Sequence, residues 1–200
     1  MPRAGLTPDR VIVEAERLTD RVGWDNLTLA ALSTTLGVRQ PSLYKHIDGL
    51  PALRRAIGIR AKTELADVLA RAAVGKSRGD AVHAIASQYR TWALEHPGRY
   101  QATVRAPDPN DPEDDAASSR AVSVVLDVLA GYELHGSEAI HAARALRSAI
   151  HGFVSLEAAG GFGLPYSLDD SYRQLIERCI SSLEEWSPRT TNPTAASPSH

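Results

Sequence analysis

The sequence of 200 residues predicts an all-α fold, in which a small helix-turn-helix domain precedes a larger helical domain. Apolar residues recur at intervals of three and four along most segments, which is the spacing of helices that bury one face. Residues typical of helix starts and stops also stand at the ends of these segments, as in Thr7-Pro8-Asp9 and Gly23. Together these two observations predict helices along the whole chain.

The first two helices are predicted from their caps and their apolar stripes. Thr7 and Thr28 are typical N-cap residues, whose hydroxyls accept hydrogen bonds from unpaired helix N–H groups. Gly23 and Gly37 are expected to end the two helices, since glycine readily adopts the left-handed conformation found there. The predicted buried positions are Val11, Ala15, Leu18 and Val22 in the first helix and Leu29, Leu32 and Leu36 in the second.

A third short helix is predicted after the Gly37-Val38 turn. Pro41 falls in its first turn, where a missing N–H costs little, and Leu43 and Ile47 form an inward face. The remaining residues face outward: Arg39, Gln40, Ser42, Tyr44, Lys45 and His46. A short surface rich in hydrogen-bond donors is typical of a recognition helix in the DNA major groove, although two short helices joined by glycine also occur in ordinary helical proteins.

The rest of the chain predicts a helical body. A connecting helix is expected at about 50–73, followed by helices over 80–95, through Val104, around 122–129, over 137–159 and over 169–185. Residues 105–119 contain three prolines and five acids and predict a solvated loop, with a lid over a ligand entrance as the alternative. Residues 187–200 predict a disordered tail.

The segment from 27 to 53 resembles the DNA-binding domain of the TetR family of transcriptional repressors. The residues that match the family pattern are Leu27-Thr28, Leu36-Gly37-Val38, Leu43-Tyr44, His46-Ile47 and Leu53. The resemblance implies an N-terminal three-helix helix-turn-helix DNA-binding domain at 1–50 and a C-terminal helical ligand-binding and dimerisation domain at 51–186. Two positions depart from the family pattern, because Leu50 replaces a lysine and Pro51 an acidic residue, which puts one phosphate contact in question.

The charge distribution agrees with a DNA-binding N-terminus. Residues 1–62 carry ten Lys or Arg against six Asp or Glu, whereas residues 63–200 carry twelve against eighteen. The one cysteine, Cys179, fits a reducing compartment, and no apolar run is long enough to span a membrane. These features predict a cytoplasmic protein with no membrane association.

The outward residues of the third helix have distinct expected roles on double-stranded DNA. Gln40 and Ser42 are expected to approach base edges, since glutamine pairs with adenine through two hydrogen bonds. The residues expected to hold phosphates are Thr28, Tyr44, Lys45 and His46, and Arg39 and Pro41 belong to the same surface. A core position for Tyr44 is the alternative.

A homodimer is expected because a single helix-turn-helix offers little contact area and such domains read paired half-sites. In the TetR family the last two long helices of each subunit form a four-helix bundle, so the resemblance places the interface there. The expected interface residues are Leu146, Ile150, Gly152, Tyr172, Leu175, Ile176, Cys179, Ile180 and Leu183. The alternative is that this broad apolar face packs only within its own subunit.

A small-molecule pocket is predicted where large aromatic residues of the body converge with one polar group. The expected lining is Tyr89, Trp92, Tyr100, Phe153 and His151, with ordinary core packing as the alternative. The remaining histidines lack metal-ligand spacing, and His151 with Ser155 lacks the orienting acid that catalysis needs. We therefore expect no metal, no cofactor and no enzymatic activity.

These expectations combine into a ligand-responsive transcriptional regulator, most simply a repressor, that binds a palindromic operator as a dimer. The alternative is a helical small-molecule-binding protein that has lost DNA binding, for which the absent lysine at Leu50 is the one supporting feature. The sequence does not identify the ligand, the operator or the regulated genes.

Overall fold

The computed structural model describes residues 6–186 and contains only helices and their connections over that range. The predicted tail at 187–200 lies outside the described residues. The helices in chain order are α1 (Pro8–Val22), α2 (Leu29–Leu36), a 3₁₀ helix at Gln40–Lys45, α3 (Gly49–Ala73), α4 (Arg78–Glu95), α5 (Pro97–Val104), α6 (Pro112–Ala130), α7 (Gly136–Ala158) and α8 (Leu168–Glu184).

The head of the molecule comprises α1, α2, the 3₁₀ helix and the first turns of α3. The predicted caps of its first two helices are confirmed: Thr7 accepts a hydrogen bond from the Arg10 amide and Thr28 accepts one from the Ala31 amide. Gly37 follows α2 in the left-handed conformation, with φ of 66°. One apolar cluster holds the head together: Val11, Ala15, Leu18, Leu27, Leu29, Leu32, Leu43, Leu53 and Ile57.

The body is built from the rest of α3 and from α4 to α8 around a second apolar cluster. Helix α3 belongs to both clusters, because Leu53 and Ile57 complete the head core while Leu65 and Leu69 lie in the body core. A boundary at 50/51 therefore cuts through the packing of the head. The first two turns of α3 belong with the head in structural terms.

Residues 105–119 are not one long loop, because α6 begins at Pro112. Asp111 caps this helix by accepting hydrogen bonds from the Glu113 and Asp114 amides, and the acids that follow face the positive end of the helix dipole. Asp111 also pairs with Arg55 and Asp114 with Lys62, both on α3. The acidic run is therefore a helix start fixed by basic side chains of another element.

The other predicted helices are confirmed, with ends that shift by one or two residues, as for α7 and α8. Two details differ from expectation. The recognition segment is a 3₁₀ helix, and Val22, expected inside, is exposed at the end of α1. Among the described residues, no helix is long and apolar enough to cross a membrane.

Candidate nucleic-acid interface and body cavity

The 3₁₀ helix at Gln40–Lys45, called here the recognition helix, is fixed to the head by one buried side chain. Leu43 is completely buried in the head core, and Ile47 packs partly against it. On the outer side, the Tyr44 ring is 55% exposed, which excludes the core position considered for it. The segment therefore presents its polar residues on a rigid support.

The polar side chains of the recognition helix have no partners within the described part of the chain. Arg39, Gln40, Tyr44 and Lys45 are exposed, and Ser42 and His46 are half-buried. No hydrogen bond or ion pair engages any of these six side chains among residues 6–186. Their donors and charges are free to meet an external partner that is rich in hydrogen-bond acceptors.

Two helix N-termini lie beside the recognition helix in the sequence. Thr28 caps α2, and its hydroxyl hydrogen is still available to donate because the oxygen acts as the acceptor in the cap. Leu50, in the first turn of α3, is half-buried and packs against the head core. It therefore contributes to head packing at the position where the family pattern has a lysine. Pro51 beside it is exposed and supplies no N–H donor.

In the body, three of the five predicted pocket residues come together. The Tyr89 hydroxyl lies 3.0 Å from the Tyr100 hydroxyl, and the Tyr100 hydroxyl contacts Nδ1 of His151. Burial raises the pKa of both tyrosines and, together with the nearby Arg147 charge, lowers the pKa of His151. A neutral His151 accepts a hydrogen bond from Tyr100, which in turn accepts one from Tyr89.

The other two predicted pocket residues lie elsewhere. Trp92 is buried and directs its indole N–H to Glu64, 3.3 Å away, on the side of α4 that faces α3. Phe153 packs on Tyr172 and Phe162, with ring centroids 5.0 Å and 4.8 Å apart. The prediction of a single aromatic pocket is therefore corrected at both positions.

A cavity of about 370 Å³ lies between α3, α6 and α7, with Tyr89 as its aromatic wall. Its apolar wall is otherwise aliphatic and includes Leu65, Leu69, Val122, Val125, Ile140 and Ile150. Tyr100, His151, Trp92 and Phe153 do not line it. Its size is within the range of roughly 300–1,000 Å³ typical of small-molecule sites.

Sequence reasoning missed the basic residues of this cavity. Arg105, Arg144 and Arg147 line it together with Lys62, which is paired with Asp114 outside the lining. Arg144 and Arg147 lie three residues apart on α7 and so share a face, a signal that was present in the sequence. The sequence does not connect them to a pocket, because the start of α6, the helix opposite them, is predicted as a loop.

Helix α5 joins the head to the wall of this cavity. At its start, Gly98 packs directly on the backbone of Thr19 in α1, and Arg99 donates to Asp20 of α1 and to Glu64 of α3. At its other end, Thr103 lines the cavity, followed by Arg105 in the connection to α6. The same short helix therefore contacts both parts of the molecule.

Most of the residues predicted to pair two subunits are already covered by their own chain. The buried positions are Leu146, Ile150, Tyr172, Ile176, Ile180 and Leu183. Such side chains have almost no surface left to offer a second copy, which corrects the expectation for these six. Leu175 and Cys179 are half-buried, and burial raises the pKa of the Cys179 thiol.

A different part of α7 and its connection to α8 leaves large apolar side chains exposed. These are Leu156, Phe162, Leu164 and Tyr166, of which the last two are more than three-quarters exposed. One turn before Leu156, a β-carbon built on Gly152 meets nothing within 4 Å. This stretch, called here the apolar edge, is the surface of α7 and α8 best suited to contact another protein.

The described residues bring together no group of three or more His, Cys, Asp or Glu side chains that would hold a metal ion. Ser155 Oγ lies 3.4 Å from Nδ1 of His151, and the Tyr100 hydroxyl also contacts that nitrogen. His151 is therefore held by a tyrosine rather than by the carboxylate that a nucleophilic triad requires.

Comparisons with known proteins agree with a helix-turn-helix head and a helical body. Residues 82–179 match the family model described as tetracyclin repressor-like, C-terminal domain. The HTH-type transcriptional regulator Rv0681 from Mycobacterium tuberculosis is 40% identical over 195 residues, which cover 97% of this chain and 88% of that protein. The HTH-type transcriptional regulator YobS from Bacillus subtilis is 35% identical over 184 residues, covering 91% and 95%.

Solved structures show the same fold at lower identity. A TetR variant from Acinetobacter baumannii in complex with minocycline superimposes with a TM-score of 0.67 and 22% identity, over 90% of this chain and 98% of that one. ActR from Streptomyces coelicolor in complex with (S)-DNPA gives a TM-score of 0.62 and 18% identity, over 91% and 98%.

Proposed function

Because the chain belongs to the TetR family of helix-turn-helix transcriptional regulators, we propose that it is a ligand-responsive repressor that binds a palindromic operator as a homodimer. The observation that carries this proposal is α5, which packs on the DNA-binding head at Gly98 and lines the body cavity at Thr103. The members of this family are regulators, so we expect no enzymatic activity. Because the protein acts on DNA, we expect it in the cytoplasm.

In this proposal residues 1–50 and the first turns of α3 form the DNA-binding unit. Gln40 and Ser42 approach base edges in the major groove, while Tyr44 and Lys45 hold phosphates. Thr28, Arg39, Pro41 and His46 are proposed to belong to the same DNA-contacting surface. Their support is the exposure of the recognition helix and the absence of internal partners for its side chains among the described residues.

The homodimer is proposed to form through the exposed sides of α7 and α8, including the apolar edge. Leu156 and Gly152 on α7 and the half-buried Leu175 and Cys179 on α8 have surface to offer a second copy. Such pairing presents two recognition helices to successive major grooves, one DNA turn of about 34–36 Å apart. A pseudo-palindromic operator then follows from the two-fold symmetry of the protein.

Release from DNA is proposed to pass through α5, which connects the cavity to the head. A ligand that fits a wider cavity separates α6 from α3 and displaces Thr103, and α5 carries that shift to α1 through Gly98 and Arg99. The ligand needs a higher affinity for the shape that does not fit DNA, because only differential affinity moves such an equilibrium.

A gel-shift titration with a fragment of the protein's own promoter region tests the proposal. We expect one retarded complex whose affinity falls steeply as salt rises, because each neutralised phosphate releases counterions. Footprinting of that complex should protect two symmetric half-sites. Failure to bind any promoter-proximal DNA, with the protein folded and dimeric, would favour the alternative of a helical ligand-binding protein without DNA binding.

A further inference from the structure

The chemistry of the cavity between α3, α6 and α7 indicates what it binds. Its wall is aliphatic on all three helices, and Tyr89 is the one aromatic residue among those that line it. Such a surface favours the burial of a flexible hydrocarbon chain over the stacking of flat rings. Val122, at 43% exposure, marks the open side between α6 and α7.

The polar part of the cavity is strongly basic. Arg105, Arg144 and Arg147 line it, and no aspartate or glutamate is among the described lining residues. Within residues 6–186 none of these three arginines has a carboxylate partner, while Lys62 is already paired with Asp114. Three uncompensated guanidinium groups beside an apolar chamber attract an anion, and their planar forks match a carboxylate.

Arg147 lies at the boundary between the basic and the apolar parts of the cavity. Its guanidinium lies 3.4 Å from the Thr103 carbonyl oxygen at the end of α5, and its charge counteracts the effect of burial on the pKa of Tyr89. Arg147 therefore stands where the apolar wall, the tyrosine and α5 meet. An anion bound there contacts the helix that leads to the head.

A second polar group in the wall is unsatisfied. The Ser118 hydroxyl on α6 is fully buried and has no hydrogen-bond partner among the described residues, yet Ser118 lines the cavity. A buried hydroxyl without a partner costs free energy, which a ligand oxygen would remove. This hydroxyl lies on α6, and the arginines lie on α7 and the α5–α6 connection.

We propose that the cavity binds an aliphatic carboxylate, with its chain between α3, α6 and α7 and its carboxylate on Arg144 and Arg147. This inference rests on the proposed function for its regulatory meaning and adds the chemical class of the ligand. Arg105 contributes to the positive field, and Ser118 donates to a ligand oxygen. Neutral molecules of the same length lack the group that the arginines recognise.

The test uses decanoate and its neutral counterpart 1-decanol as probes on the full-length chain, with isothermal titration calorimetry as the readout. We expect decanoate to bind about 10- to 150-fold more tightly than decanol, since a charge-assisted hydrogen bond is worth about 1.5–3 kcal/mol. The variants R144M and R147M should each reduce decanoate binding and leave decanol binding unchanged. R17M, which removes an exposed arginine of the head, is the matched control and should change neither.

Three results would overturn the ligand class: equal binding of decanoate and decanol, no binding of either, or a preference for decanoate that survives in R144M and R147M. Unchanged decanol binding shows that a variant retains its fold and its apolar chamber. A gel shift in the presence of decanoate separates this inference from the proposed function. Arginine-dependent binding without any effect on DNA affinity keeps the ligand class and contradicts ligand-controlled release.

Discussion

Gly98 on α5 lies against the carbonyl group of Thr19 on α1, so close that a β-carbon at position 98 would stand 2.1 Å from the Thr19 oxygen. No larger residue fits while these two helices keep their distance. The adjacent Arg99 adds a hydrogen bond from its backbone amide to Asp20 and another from its side chain. The head is therefore joined to the body by a direct backbone contact, where a small movement of α5 must be transmitted to α1.

The first prediction follows from this contact. Replacement of Gly98 by alanine should force α1 and α5 apart and lower the free energy of unfolding by about 1–3 kcal/mol, the usual cost of overpacking. Urea denaturation measures the change. Gly58→Ala on α3 is the control, because its β-carbon meets only a carbonyl oxygen 4.0 Å away and alanine favours helix interiors by up to about 1 kcal/mol. Equal stability of the two variants would contradict the required closeness of α1 and α5.

The second prediction concerns sequence recognition by the exposed recognition helix. Gln40→Ala should relax the preference at one base position by about 1–3 kcal/mol, since glutamine discriminates through hydrogen bonds to a base edge. Tyr44→Phe should weaken binding to all sequences alike, because it removes a hydroxyl from a phosphate contact. Selection of binding sites from random DNA distinguishes the two patterns. Identical base preferences for Gln40→Ala and the parent protein would show that Gln40 does not read sequence.

The third prediction concerns the subunit interface. Glutamate in place of Leu156, half-exposed on α7, should give monomers in analytical ultracentrifugation and lose operator binding, because the charge would be buried between subunits. Val74→Glu is the control, since Val74 is even more exposed and lies far along the chain from the apolar edge. Ile180 is unsuitable for this test, because it is buried within its own chain and glutamate there would unfold the subunit. A fully dimeric Leu156→Glu protein would exclude this surface.

The features predicted best from sequence are those decided by neighbouring residues. Thr28 caps α2 and Gly37 turns the chain after it because both effects involve residues at most a few positions away. The start of α6 differs from the prediction for the opposite reason. Asp111 and Asp114 are held by Arg55 and Lys62, more than fifty residues earlier in the chain, and no local pattern reveals that pairing.

The candidate site shows the same division. The spacing of Tyr89 and Trp92 placed both on one side of α4, but it did not decide which neighbour each would meet. Tyr89 faces the cavity and Trp92 faces Glu64 on α3. The broad stripe of α8 likewise showed that Ile176 and Ile180 are buried, whereas only packing shows that their own chain buries them.

The fourth prediction concerns pH. His151 has a lowered pKa in the folded protein because it is buried near Arg147, so between the folded and unfolded pKa values the unfolded chain binds more protons. Stability should therefore fall as the pH decreases from 7.5 to below the ordinary histidine value of about 6.5. His151→Gln should lose less stability over that interval, as measured by urea denaturation at each pH. Because the other histidines are common to both proteins, their contributions cancel in the difference; parallel losses would contradict a neutral His151.

The fifth prediction tests whether α5 carries information between the head and the cavity. Coupling between sites is reciprocal, so operator DNA bound to the head should slow hydrogen exchange at the far end of α5, around Thr103. Arg99→Gln removes the side-chain bonds to Asp20 and Glu64 and should weaken that protection, while the Gly98 contact remains and the head itself stays protected by DNA. Arg120→Gln is the control, because it breaks a surface ion pair with Asp67 that joins α6 to α3 without involving α5. If Thr103 stays fully protected by DNA in Arg99→Gln, the Arg99 side chain does not carry the coupling, which leaves the Gly98 contact or α3, a helix that belongs to both cores.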